Sequence, residues 1–166
     1  MVNEEGSINQ AIRMMCEANV GVLNKGFLCQ SLGAISQRAP LCVAEDCPVE
    51  DVLGVLRTNK VGCVLVVNHS GKLSGIFSER DFVLKVAHDF ERVRRSPIAE
   101  YMTRDPTTQS MDCSVAFALN LMSNGGFRHI PIVDGEGVPV GAISVKDVID
   151  YVVDSFTQDL LNFETT

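Results

Sequence analysis

Two short stretches of this chain set a serine and an aspartate three residues apart, behind a glycine and two apolar residues. They are Gly75-Ile76-Phe77-Ser78-Glu79-Arg80-Asp81 and Gly141-Ala142-Ile143-Ser144-Val145-Lys146-Asp147. Where such a stretch passes from strand into helix, the serine stands at the helix start. Backbone N–H groups and the positive end of the helix dipole favour an anion there. The aspartate lies one turn further on, on the same side. Its carboxylate can accept hydrogen bonds from both hydroxyls of a ribose, as acidic residues do in other nucleotide-binding folds. The glycine leaves room for a ligand or a neighbouring backbone. The same residue types also make a plain helix cap, with serine as N-cap and aspartate at the third helical position. One copy would favour the cap; two copies in register favour a ligand.

The register is strict. A constant offset of 66 residues, that from Gly75 to Gly141, also carries Arg38 and Pro40 onto Arg104 and Pro106. It carries Asp46 and Cys47 onto Asp112 and Cys113, and Val49, Leu53, Val67 and Gly71 onto Val115, Leu119, Val133 and Gly137. The chain is a tandem repeat without a gap.

The elements that hold the two motifs follow from periodicity. Ser7-Ile8-Asn9-Gln10 has the form of a capping box, and Ile8, Ala11, Ile12, Met15 and Ala18 follow at helical spacing. An N-terminal helix is expected over residues 7–23, stopped at Asn24-Lys25-Gly26, and a second short helix over 27–36. In the first repeat, 41–44 reads as a strand. Asp46 is placed to cap a helix reaching Thr58, which buries Val49, Val52, Leu53 and Leu56. Gly62–Val67 is a continuous apolar run suited to a strand buried on both faces. Asn68-His69-Ser70-Gly71 turns the chain into a partner strand, 73–77, and Ser78 opens a helix to His88. Residues 89–95 read as a charged connector, and Ser96-Pro97 as the cap and first position of the next helix. The second repeat reads as strand 107–110, helix 114–123, strand 128–133, turn 134–137, strand 139–143 and helix 145–161. The expected organisation is an extension (1–26), a first repeat (27–90) and a second repeat with the C-terminal helix (91–166). Each β-α-β-β-α unit is too small to bury a sizeable core alone, so the two are expected to pack around a pseudo-two-fold axis as an α/β (α+β) fold.

Composition narrows the function. Among 166 residues, 46% are hydrophobic and 21% charged, with a net charge of −7. That balance argues against nucleic acid and against an anionic membrane surface as partners. No apolar run spans a bilayer, and the acidic start Met1-Val2-Asn3-Glu4-Glu5 is unlike a signal peptide, so a cytoplasmic location is expected. Cys16, Cys29, Cys42, Cys47, Cys63 and Cys113 show no metal-ligand spacing and read as reduced, small apolar core residues. Arg92-Val93-Arg94-Arg95, the densest basic stretch, reads as a solvated linker. The chain carries no Walker lysine motif, dinucleotide glycine fingerprint, metal-ligand cluster or recognisable nucleophile arrangement, so no enzyme is expected.

Two further stretches complete a pattern: the link Tyr101-Met102-Thr103-Arg104-Asp105-Pro106, and Phe127-Arg128-His129-Ile130-Pro131-Ile132-Val133-Asp134 before the second hairpin. With them, residues 27–155 resemble a tandem pair of CBS domains, the regulatory modules named after cystathionine β-synthase. The resemblance implies a cleft for an adenosine compound such as AMP, ADP, ATP or S-adenosylmethionine, with no cofactor required. It implies that the motif aspartate holds ribose, that the serine contacts ribose or phosphate, and that apolar strand residues flank adenine. Carried over, one site would use Asp147 and Ser144, with Thr108, Ile130 and Pro131 near the base. The other would use Asp81 and Ser78, with Val43, Val64 and Leu65 near the base. Arg128-His129 matches a basic pair that family members set against phosphate, whereas Gly62-Cys63 stands at that offset in the first repeat. The competing reading is an ion pair of Arg128 with Asp134 or Glu136, and a satisfied core role for His129. Arg80 and Lys146 are secondary phosphate candidates, or else part of a solvated helix face. The two sites are therefore expected to differ. The resemblance also implies a homodimer. As the remaining residues hold no catalytic domain, the expected target is a separate protein, or else the N-terminal helix is the effector surface. The alternative function is a scaffold whose clefts stay empty.

Overall fold

The computed structural model describes residues 25–35 and 39–163; the helix expected over 7–23 lies outside them. A helical turn, α1 (Lys25–Leu28), and a 3-10 turn (Leu32–Ala34) stand where one short helix was expected. They lead to β1 (Cys42–Ala44), α2 (Val49–Asn59), β2 (Cys63–Val67) and β3 (Leu73–Ser78). β1 runs parallel to β2, β2 and β3 form an antiparallel hairpin, and β4 (Thr103–Arg104) closes the free edge of β3. The hairpin turns because the Asn68 side chain accepts from the Ser70 and Lys72 N–H groups at 2.9 and 3.1 Å.

Four of the five β2 residues are buried, as a strand covered on both faces requires. Val64, Val66 and Phe77 point into a first core with Val49, Val52 and Leu56 of α2. Cys63, Leu65 and Ile76 point the other way and meet Ala142 of the second repeat. This second layer of contact is where the two sheets face each other.

The second repeat has α5 (Val115–Gly125), β5 (His129–Val133), β6 (Pro139–Ser144) and α6 (Val145–Phe163), with its core around Val115, Ile130, Ile132 and Ile143. The strand expected at 107–110 shrinks to one bridge, Gln109 to Ile132. Thr108-Gln109-Ser110 offers less apolar surface to bury than Cys42-Val43-Ala44. The register is nevertheless that of the first repeat, since Val43 pairs with Val66 at the same 66-residue offset.

Three helix boundaries differ from expectation, each for a tertiary reason. α2 starts after Pro48, not at Asp46. Its first N–H groups are satisfied by the linker, Val49 donating to the Ser96 carbonyl (3.1 Å) and Glu50 to that of Arg94 (2.9 Å). The turn after Ser96 is a 3-10 turn (Ile98–Glu100) with Pro97 as N-cap, because Pro97 is extended and bridges Pro48. The helix opened by Ser78 runs past His88. It comprises α3 (Glu79–Asp81), a π-helical turn (Phe82–Val86), a 3-10 turn (Ala87–Asp89) and α4 (Phe90–Val93). Val93 is buried in the first core, and Arg94 pairs with Glu50 at 2.8 Å. Val93 and Arg94 are therefore docked, while Arg92 and Arg95 stay solvated as expected.

The linkers are exchanged. Leu32 donates to the Cys113 carbonyl (2.8 Å), Gly33 to Met111 (3.0 Å) and Val115 to Gln30 (2.9 Å). At the same offset Ile98 donates to Cys47 (2.9 Å), Ala99 to Glu45 (3.1 Å) and Val49 to Ser96 (3.1 Å). Phe27 and Leu32 accordingly sit in the second core, and Val93, Ile98 and Met102 in the first. Each core is completed by the segment that precedes the other repeat. The correspondence is not complete: Leu73 donates to the Gly137 carbonyl at 2.9 Å, but its counterpart, Pro139, has no N–H to return the bond.

Candidate ligand site

The hairpin registers set the motif serines. Ser144 faces His129 across β5–β6, and Ser78 faces Cys63 across β2–β3. In both motifs the capping geometry forms. The Ser144 N–H and hydroxyl donate to Asp147 Oδ2 at 2.7 and 2.6 Å, and the Asp147 N–H returns a bond to Ser144 Oγ at 3.2 Å. The first motif repeats this at 3.0, 2.7 and 3.4 Å. The cap uses one oxygen, Oδ2, of each carboxylate and leaves Oδ1 outside the cap.

The second oxygens meet different surroundings. Asp81 Oδ1 accepts from Lys85 Nζ at 2.8 Å and from the Thr103 hydroxyl at 2.8 Å. Lys85 also donates to the Met102 carbonyl and to Thr103 Oγ1, both at 3.2 Å. Asp81 is the one buried charged side chain among the described residues. Burial pushes its carboxyl up, but the bonds from Lys85, Ser78 and Thr103 outweigh that and hold it below its ordinary value. In the second repeat the position of Lys85 is taken by Tyr151. Its hydroxyl turns away to donate to Gln30 Oε1, and its ring stacks on Phe27 at 5.7 Å. Asp147, half-buried, keeps Oδ1 without a protein donor among the described residues.

His129 stands beside Ser144 and crosses to the first repeat. A Cβ on Gly62 would lie 3.0 Å from His129 Nε2 and 3.8 Å from Glu79 Oε2, so the glycine makes the seat for the imidazole. Burial, and then the Arg128 charge, hold the imidazole below its ordinary value, against the opposing pull of Asp147 and Glu79. Burial, reinforced by Asp147, pushes the Cys63 thiol up to about 12, which leaves it inert. Gly62, Cys63 and Glu79 of one repeat thus meet His129 and Asp147 of the other.

The remaining candidates divide. Arg128 is exposed and has no ion pair among the described residues. The pairing with Asp134 or Glu136 does not form, because Asp134 holds the opposite end of the hairpin, accepting the Glu136 and Val138 N–H groups at 2.9 Å each. Arg80 donates to the Gly126 carbonyl at 2.8 Å, tying the first motif to the end of α5. Lys146 pairs with Asp150 on an exposed face of α6. Val64 and Ile130 are corrected: both are fully buried inside the two cores, on the strand faces opposite Leu65 and Pro131, and offer nothing to a cleft. Val43 likewise packs against the first core. Pro131 is buried on the His129 face, and Leu65 fills the layer between the sheets. Thr108 lines a hollow with Gln109, Val133, Asp134 and Val140, towards the hairpin turn. Sequence reading missed Lys85, Thr103, Tyr151 and Gln30. Only Lys85 left a signal, four residues after Asp81 on one helix face.

Residues 32–88 and 98–154 each match the CBS domain family. This chain belongs to the CBS domain family. A 17.7 kDa protein of Acidianus ambivalens, itself uncharacterised, is 32% identical to this CBS pair over 102 residues. That match covers 61% of this chain, which spans about 60% of that relative's length. Among solved structures, the CBS domain pair of protein MJ0100, in complex with 5'-methylthioadenosine and S-adenosyl-L-methionine, superposes with a TM-score of 0.67. It is 22% identical, covering 74% of this chain and 98% of that one. CBSX2 in complex with AMP superposes with a TM-score of 0.64 at 20% identity, covering 75% of this chain and 96% of that one. At these identities the two structures establish the fold. No helix among the described residues is long and apolar enough to cross a membrane, and no group of three acidic, histidine or cysteine side chains among them could hold a metal.

Proposed function

We propose that this CBS pair is a non-enzymatic regulatory module. It binds an adenosine-containing ligand (AMP, ADP, ATP or S-adenosylmethionine) at the second motif and passes the resulting change to a separate protein. The observation that carries the reading is the Oδ1 of Asp147, left open by the Ser144 cap, with His129 paired to Ser144 across the two strands. A carboxylate oxygen has two lone-pair sites, enough for both ribose hydroxyls. Ser144 acts as a positioning residue, since its hydroxyl is spent on Asp147. Arg128, exposed and unpaired among the described residues, is the phosphate contact, and His129 joins the two repeats at the site. Because Gly62 and Glu79 abut His129, a ligand there touches both repeats. It shifts their arrangement to the extent that it binds one arrangement better than another. The solved relatives that hold AMP or S-adenosyl-L-methionine support the ligand class.

A second reading is a scaffold that works by dimerisation through its helices, with clefts that bind no ligand. It draws on Val83, Phe117 and Ile149, large apolar side chains each more than half exposed on helix surfaces. A cytoplasmic homodimer suits both readings. A thermal-shift panel of the four compounds separates them. Ligand at ~100 times its dissociation constant adds about 2.7 kcal/mol. For a chain of this size that raises the melting point by roughly 5–10 °C. Asp147→Ala should erase the shift. If all four compounds leave the wild-type curve unmoved, the sensor reading fails.

A further inference from the structure

We propose that Lys85 latches the first motif shut from within, so that the chain takes one nucleoside rather than two, and that removing its ammonium group opens the second place. The inference rests on the reading that a motif aspartate takes ribose hydroxyls, and it concerns the copy that does not. An ionised carboxylate accepts about four hydrogen bonds. Asp81 already holds four: the Ser78 N–H and hydroxyl on Oδ2, and Lys85 Nζ and the Thr103 hydroxyl on Oδ1. No acceptor site remains for a ribose. Lys85 is equally spent, its three donors facing Asp81 Oδ1, Thr103 Oγ1 and the Met102 carbonyl. It therefore cannot serve as a phosphate contact while it holds Asp81. The other cation of this motif, Arg80, is tied to the Gly126 carbonyl.

The second repeat shows what the motif is without the latch. Tyr151 replaces Lys85 at the same offset, carries no charge, and is drawn away to Gln30 and Phe27. The backbone differs in step. Residues 82–86 form a π-helical turn, and Lys85 leaves it towards β4, whereas α6 is α-helical through its whole length. The latch is built from three parts: the helix that carries Lys85, the β4 residues that receive it, and the cap that presents Asp81.

The test is stoichiometry by isothermal titration calorimetry, with AMP, ATP and S-adenosylmethionine as separate titrants. Wild type should bind one equivalent per chain of any compound that binds. Lys85→Met, which keeps the aliphatic stem, and Lys85→Tyr, which installs the second repeat's residue, should each bind two. Asp147→Ala should bind none, and Asp147→Ala with Lys85→Met should regain one equivalent. Two equivalents on wild type would overturn the latch and leave the proposed function standing. So would one equivalent on both Lys85 variants, provided their melting transitions show them folded. Wild type silent with Lys85→Met binding one equivalent would keep the latch and remove the second-motif assignment. Silence of every protein would overturn both. A carbon-13 NMR titration of the Asp81 carboxyl gives a readout that needs no ligand. Its midpoint should move up in Lys85→Met, and an unmoved midpoint would overturn the latch.

Discussion

Gly75 heads the first motif, and its replacement by alanine tests whether the motif is as tightly joined to β4 as the latch requires. A methyl group at Gly75 would lie 2.3 Å from Met102 Sδ, 2.9 Å from Met102 Cγ and 3.0 Å from the Thr103 carbonyl oxygen. The thioether end can swing aside, although Met102 is buried in the first core. The Thr103 carbonyl cannot, because β4 is only two residues long and Thr103 also holds Asp81. Overpacking of this kind costs about 1–3 kcal/mol. Alanine's smaller loss of backbone freedom returns about 0.5–1 kcal/mol. From the middle of both ranges the net loss should be roughly 1 kcal/mol, which lowers the melting point by about 2–4 °C for a chain of this size. Urea unfolding of Gly75→Ala, Met102→Ala and the double variant measures it. Met102→Ala alone should cost about 2–5 kcal/mol through the cavity it leaves. In the double variant the alanine methyl enters that cavity, so the combined loss should fall short of the sum by about 0.5–3 kcal/mol. A Gly75→Ala protein as stable as wild type, or a double variant that is simply additive, would refute the reasoning.

Two further outcomes follow from other positions. Gly54 lies inside α2 with nothing within 4 Å of an added Cβ, so Gly54→Ala should raise stability by about 0.5–1 kcal/mol in urea unfolding. A loss there would mean the helix needs the glycine. His129 is held below its ordinary value of 6.5 by burial and by Arg128, so the unfolded chain takes up this proton first as pH falls. The stability linked to it is complete above about pH 6.5 and is lost as pH falls through the folded value. His129→Gln should flatten the change in melting point between about pH 7.5 and 5.5, and an equal slope in both proteins would remove His129 as its source.

Much of this was legible because the repeat is local information written twice. The Ser-x-x-Asp caps, the Asn68 turn and the buried β2 depend on residues near one another in sequence, and they form as expected. The failures share a cause. α2 is capped by carbonyls of Arg94 and Ser96, more than forty residues away, so no local cap marks its start. Val64 and Leu65 are both apolar and adjacent, and a strand buried on both faces hides which of them looks inward to its own core. Lys85 is visible at helical spacing from Asp81, but its meaning depends on Met102 and Thr103, which only the fold brings to it. The contrast between the two motifs thus rests less on Arg128-His129 alone than on what each carboxylate's second oxygen meets.

The exchanged linkers change what counts as a part of this protein. A cut between the sequence repeats would leave the first without Val93, Ile98 and Met102 and the second without Phe27 and Leu32. Neither fragment could then close its core, so the unit that sequence duplication copies is not the unit that folds. Melting should accordingly be a single transition, with no half that survives the other. A circular permutant that joined the ends and opened the chain near residue 90 would sever a core, whereas one opened at the exposed turn Asp134–Glu136 would leave both linkers in place. Inheritance drew the boundary in one place, and packing drew it in another.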